Sequence, residues 1–158
     1  MTGLSTRISP QPLSYQDAWQ WLSDTGGEGG AVLLFSGQLR DEKGAVSGLF
    51  LEHYPGMAEK ALQDIAAGVA DRWPLLRLLA WHRVGQMRVG DDIVLVGVSA
   101  GHRGEAFAAC ECLMDQVKTG VPLWKKLSGA DGEQWVEARE RDLAAAERWL
   151  RAPPADGH

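Results

Sequence analysis

Ala58, Ala61, Leu62, Ile65, Ala66, Val69 and Trp73 recur at the spacing of one helical face, and Pro74 follows at once. Proline cannot continue a helix, and it biases the residue before it toward extended backbone. The pattern therefore predicts an amphipathic helix ending at Trp73 and a strand over 75–84. A second unit of the same kind runs in the opposite order. An apolar strand over 93–100 leads into a helix from about Arg103 to Lys118, with Ala106, Cys110, Leu113, Met114 and Val117 on its core face. Two helices with one apolar face each must bury those faces against a shared sheet.

The remaining signals fill in that frame. Residues 7–13 read as a short extended segment kept at an edge by Pro10 and Pro12. Ser14 is a predicted N-cap, with Asp17 at the capping-box position of a helix through Trp21 or Leu22. Strands are predicted over 31–39 and 46–53, joined by the charged connection 40–44. Residues 85–90 form a turn-rich excursion, and 121–126 and 134–137 read as extended. A terminal helix is predicted from Arg139 to Leu150, followed by a disordered tail over 152–158 that holds Pro153, Pro154 and Gly157. The expected class is α+β: a mixed sheet with two main helices packed on one face, plus a small β-rich excursion. At 158 residues this is one domain, over 1–151.

Charge and composition exclude several functions. The chain carries a formal net charge of −5 with no basic stripe, which argues against a nucleic-acid binder. No apolar run approaches a membrane span, and no apolar signal region opens the sequence. Cys110 and Cys112 lie two apart on a predicted helix, so they point about 200° apart and form neither a local disulfide nor a shared metal site. The expected compartment is the reducing cytoplasm. The histidines show no metal-ligand spacing, so neither a metal nor a cofactor is expected. No nucleophile elbow, P-loop or dinucleotide fingerprint is present.

Against this acidic background, Lys118-Thr119-Gly120-Val121-Pro122-Leu123-Trp124-Lys125-Lys126 concentrates cations around a short rigid segment. Such a cluster suits an anion, and lysine is the cation whose reactivity answers most readily to burial. The plainer alternative is a helix-end lysine favouring the dipole, followed by solvent-facing strand lysines. Ser99-Ala100-Gly101-His102-Arg103-Gly104 joins a strand to a helix N-terminus, where free N–H groups already attract anions. Two cationic side chains there do not help the helix itself. They make sense around an anion, or they simply swing into solvent. His53, within Glu52-His53-Tyr54-Pro55-Gly56-Met57, and His82, beside Trp81, read as structural histidines. Trp124 could wall a pocket for a flat ring.

Four segments in order carry a family resemblance: Glu52 to Met57, Gly97 to Arg103, Lys118-x-x-x-Pro122-x-Trp124-Lys125-Lys126, and Trp135-Val136-Glu137-Ala138-Arg139. Together they resemble the large, catalytic subunit of molybdopterin synthase, over roughly Pro12 to Trp149. The resemblance implies a cytoplasmic sulfurtransferase of molybdenum-cofactor biosynthesis that converts cyclic pyranopterin monophosphate to molybdopterin. Sulfur would arrive as a thiocarboxylate on the Gly-Gly C-terminus of a small ubiquitin-like partner. The assembly would be a heterotetramer around a homodimer of this chain. By motif, Lys118 and Lys125 take the catalytic positions, and Arg40, His102, Arg103, Lys126 and Arg139 the substrate-binding ones, with Arg139 reaching the neighbouring subunit's site. One pocket is expected to hold Lys118 and Lys125, with His102 and Arg103 on its wall. Two departures stand out. Asp41-Glu42-Lys43 replaces the Asn and His that many members carry, and Leu127 stands where many have a glutamate. The rival reading is a non-catalytic scaffold that binds a ubiquitin-like Gly-Gly tail.

Overall fold

The computed structural model describes residues 1–41, 44–130 and 132–136. The terminal helix expected from Arg139, the tail and the Arg139 side chain lie outside them.

Among the described residues, eight strands and three helices follow in the order β1 (Gly3–Ser9), α1 (Tyr15–Ser23), β2 (Ala31–Gln38), β3 (Gly48–His53), α2 (Met57–Arg72), β4 (Leu75–Arg83), β5 (Gly85–Arg88), β6 (Asp92–Ala100), α3 (Arg103–Gly120), β7 (Leu123–Gly129) and β8 (Gly132–Val136). The α+β class holds, with the strands divided between two four-stranded sheets. The first has the order β1-β4-β6-β2 and is mixed: β1 runs parallel to β4, while β6 runs antiparallel to both β4 and β2. The second, β5-β3-β7-β8, is antiparallel throughout. The excursion expected at 85–90 is the edge strand of this second sheet. The first strand begins earlier than the prolines suggested, at Gly3, and it does lie at a sheet edge.

Central strands buried on both faces explain the long apolar runs in β4 and β6. One face of the first sheet takes α2 and α3: Leu78, Ala80, Val94, Val96, Val98 and Ala100 meet Leu62, Ala66, Ala109 and Leu113. The other face takes α1, with Ala18 and Leu22 against Leu79, Trp81 and Leu95. Ser14 caps α1, its hydroxyl accepting the Asp17 N–H at 3.1 Å. At the start of α2 the Glu59 carboxylate accepts the Gly56 N–H at 2.9 Å, and Gly56 sits at φ +88°, where a side chain would be strained. A third cluster of Leu39, Leu49, Leu51, Val84 and Met87 joins the two sheets, with Leu123 and Leu127 packed against it.

Candidate functional site

Residues of β7 alternate between two environments. Leu123 and Leu127 pack into the cluster between the sheets, so Lys125, which pairs with the buried Leu51, shares their face. Lys118 stands in the last turn of α3. That helix ends at Gly120, where a β-carbon would lie 2.9 Å from Ile65 Cδ1, so α3 closes tightly on α2. Val121 is buried and the chain turns straight into β7. Leu123 packs against both the helix cluster and the cluster between the sheets, which ties the helix end bearing Lys118 to the strand bearing Lys125. Lys118 is exposed and Lys125 half-buried, and neither lacks a partner. Arg40 follows β2, whose last residue Gln38 pairs with Asp92 at the start of β6, so it stands at the end of the first sheet opposite His102. Its neighbour Leu39 is buried in the cluster between the sheets, donating its N–H to the Asp91 carbonyl at 3.0 Å.

His102 and Arg103 are at the other end. Helix α3 folds back along β6, with the Cys110 thiol 3.8 Å from the Val96 carbonyl. At 1.5 Å per residue, Arg103 lies about 22 Å along the axis from Lys118. Both His102 and Arg103 are exposed, and His102 makes no side-chain cap. Along α3 and β6, Lys118 and Arg40 therefore lie toward one end, and His102 and Arg103 toward the other. A sequence pattern does not reveal this separation, because motif order carries no distance.

Lys126 also departs from the expected cluster. Alternation turns it to the opposite face of β7 from Lys125. There it meets the Glu133 carboxylate at 2.8 Å and lies 5.4 Å from the Trp135 ring centre. Glu52, Trp124 and Trp135 on that face, with His53, Tyr54 and Pro55 at the end of β3, line an open cleft of about 480 Å³. Its rings are unusually bare: Tyr54 is 58% exposed, Trp124 51% and Trp135 59%. The Tyr54 and Trp124 rings sit 6.1 Å apart and inclined at 59°. Trp124 was readable as a pocket wall, but its partnership with Trp135 comes from the β7–β8 hairpin. The signal in the sequence was the alternation Trp124, Lys126 against Glu133, Trp135 across the Gly129–Gly132 turn.

The other titratable candidates are structural. His53 lies 3.5 Å from the Glu59 carboxylate that caps α2. His82 is buried, with its Nδ1 2.8 Å from the Arg83 carbonyl, and desolvation holds its pKa below the ordinary histidine value. Burial pushes the Cys110 thiol up to about 12, and Cys112 is also buried, with the Arg72 guanidinium 3.9 Å from its sulfur. Neither thiol suits nucleophilic chemistry. Among the described residues, no three His, Cys, Asp or Glu side chains gather as a metal site. No described helix is long and apolar enough to cross a membrane.

Known proteins are similar to this chain in sequence and fold. The catalytic subunit of molybdopterin synthase from Escherichia coli (strain K12) is 46% identical over 144 residues, covering 90% of this chain and 95% of that protein. A molybdopterin biosynthesis MoaE protein from Burkholderia ambifaria superposes with a TM-score of 0.80 at 43% identity, covering 96% of this chain and 100% of that one. Molybdopterin synthase from Staphylococcus aureus superposes with a TM-score of 0.76 at 32% identity, covering 82% of this chain and 95% of its own. The family described as MoaE protein matches residues 8–120. With its strand-helix scaffold and its lysine-bearing helix end inside or beside that match, the chain belongs to the MoaE protein family.

Proposed function

We propose that this protein is the catalytic subunit of a molybdopterin synthase, a sulfurtransferase subunit of molybdenum-cofactor biosynthesis. Its substrate is cyclic pyranopterin monophosphate, and its sulfur donor is the Gly-Gly thiocarboxylate of a small ubiquitin-like partner. The observation that carries this reading is the joining of the Lys118 helix end to the Lys125 strand through Leu123, with Arg40 at the same end. The substrate phosphate and the donor thiocarboxylate are both anions, so their meeting needs cations fixed in advance. Such fixed charges act more strongly beside an apolar cluster than in water.

The thiocarboxylate sulfur attacks a side-chain carbon of the pterin, forming a carbon–sulfur bond as a carbon–oxygen bond at that carbon breaks and its electron pair leaves on the oxygen, while the partner's acyl group remains on sulfur. Water then cleaves the acyl–sulfur bond, freeing the partner as a carboxylate, and a second donor repeats the transfer. Lys118 binds the tail's terminal carboxyl group and assists proton transfer, while Lys125 holds the phosphate or the developing negative charge. His102 and Arg103, about 22 Å from Lys118 along α3, serve the site of a second copy in a homodimer that forms the core of a heterotetramer. Arg139 is assigned to that neighbouring site as well. A cytoplasmic location fits this chemistry and the two free cysteines.

The test is turnover with thiocarboxylated small partner and pyranopterin, following dithiolene formation. A chain that binds the tail but forms no dithiolene is the scaffold of the rival reading.

A further inference from the structure

Arg40 is exposed, yet the backbone on either side of it is tied down. On one side stands Leu39, whose N–H donates to the Asp91 carbonyl at 3.0 Å and whose carbonyl accepts the Gly90 N–H at 2.7 Å. On the other side, the Asp41 carboxylate accepts the Val46 N–H at 3.2 Å. Both bonds of Leu39 go to the turn between β5 and β6, where Gly90 sits at φ +94°, a conformation that favours glycine. That turn has a clasp of its own. One oxygen of the Asp91 carboxylate accepts the Arg88 N–H at 2.8 Å and lies 3.3 Å from the Arg83 guanidinium.

The next residue holds β2 itself. Asp92 Oδ1 accepts the Ser36 hydroxyl at 2.6 Å and the Gln38 side-chain amide at 2.9 Å. These bonds straddle an irregularity in the pairing of β2 with β6. Gly37 pairs with Val94 and Gln38 with Asp92, so Ile93 is passed over. A bulge of this kind bends the strand and re-aims the side chains beside it. The residues that follow it on β2 are Leu39, buried between the sheets, and then Arg40. Two consecutive carboxylates thus hold the end of one strand, and bonds to a charged acceptor are strong ones. Their charge does not spoil an anion site nearby, because Asp91 faces Arg83 and Asp92 is occupied by two donors. A long arginine side chain loses less freedom on binding an anion when its backbone is already fixed.

We propose that Asp91 and Asp92 are positioning residues for Arg40: together they fix the backbone from which its guanidinium meets the anionic substrate. Asp91 acts through the turn that binds Leu39, and Asp92 acts through the bulge at Gly37 and Gln38. Neither carboxylate touches the substrate. This rests on the proposed function and deepens it by naming what prepares Arg40.

Two measurements on the full chain test the proposal: steady-state kinetics with thiocarboxylated small partner and pyranopterin, and amide hydrogen exchange at Leu39. Asp92→Ala should raise KM for pyranopterin about tenfold and change kcat by less than about twofold, because it loosens a binding group and leaves the reacting groups alone. KM for the small partner should not move. Asp92→Asn, which keeps one acceptor oxygen, should recover part of the loss. In an Arg40→Ala chain, Asp92→Ala should lower kcat/KM by less than about a further twofold, because the side chain it positions is gone. Asp91→Ala should speed exchange of the Leu39 amide about tenfold or more while the buried amides of α2 keep their protection. An unchanged KM in Asp92→Ala, an equal loss with and without Arg40, or unchanged Leu39 exchange in Asp91→Ala would overturn the proposal. A folded wild type that forms no dithiolene would reject the catalytic reading, and the hold on Leu39 would then stand or fall on hydrogen exchange alone.

Discussion

A β-carbon added to Gly97 would lie 2.5 Å from Leu22 Cδ1 and 2.8 Å from the Leu33 carbonyl. Gly97 sits in the middle of β6, on the face covered by α1, and Leu22 is the fully buried anchor of that helix. The missing side chain lets α1 approach the sheet. Gly97→Ala should therefore destabilise the domain by about 1–3 kcal/mol, the usual cost of overpacking a tight core. Urea unfolding measures it, and an unchanged midpoint would show that α1 can move away at no cost.

Acid should weaken the fold through His82. Burial lowers its folded-state pKa below 6.5, so the unfolded chain binds a proton that the folded chain refuses. Stability from this group is present above the unfolded pKa and is lost as pH falls below it, by at most about 1.4 kcal/mol per pH unit. The urea midpoint should drop between pH 7.5 and about 5.5, and the drop should shrink in His82→Gln. Equal midpoints at the two pH values in the wild type would refute the assignment.

Cys110 and Cys112 should not react with a thiol reagent in the folded protein. Both are buried, and the Cys110 thiol is pushed up to about 12, which leaves almost no thiolate at neutral pH. Both should titrate in denaturant. Fast labelling of the native chain would mean that α3 opens readily.

Lys118→Ala should abolish dithiolene formation while changing stability by a few tenths to about 1 kcal/mol, the range for an exposed lysine at a helix C-terminus. Turnover near the wild-type rate in a folded variant would remove Lys118 from the mechanism.

The partner's last glycine should matter for steric reasons. Only residues without side chains bring a terminal carboxyl close to Lys118 in a narrow channel. Replacing that glycine by a bulky residue should weaken binding in calorimetry, and rising salt should weaken the wild-type tail too. Equal affinities for the two tails would mean that the tail is not inserted.

Local chemistry made much of this protein legible in its sequence. The helical spacing from Ala58, the stop at Pro74, the Ser14 cap and the apolar run into Ala100 each depend on neighbours along the chain. They mark α1, α2, β4 and β6 to within a few residues. The lysine segment was legible for the same reason, since Lys118 through Lys125 are held together by one helix end and one strand. Tertiary structure decided the rest. Strand pairing divided one expected sheet into two, because registers such as Phe50 with Lys126 join residues far apart in the chain. Alternation along β7 then sent Lys126 to the opposite face from Lys125, and the rigid length of α3 held His102 and Arg103 far from Lys118. Periodicity and capping act over one turn or one strand, whereas the meeting of side chains depends on long-range packing that no local pattern encodes.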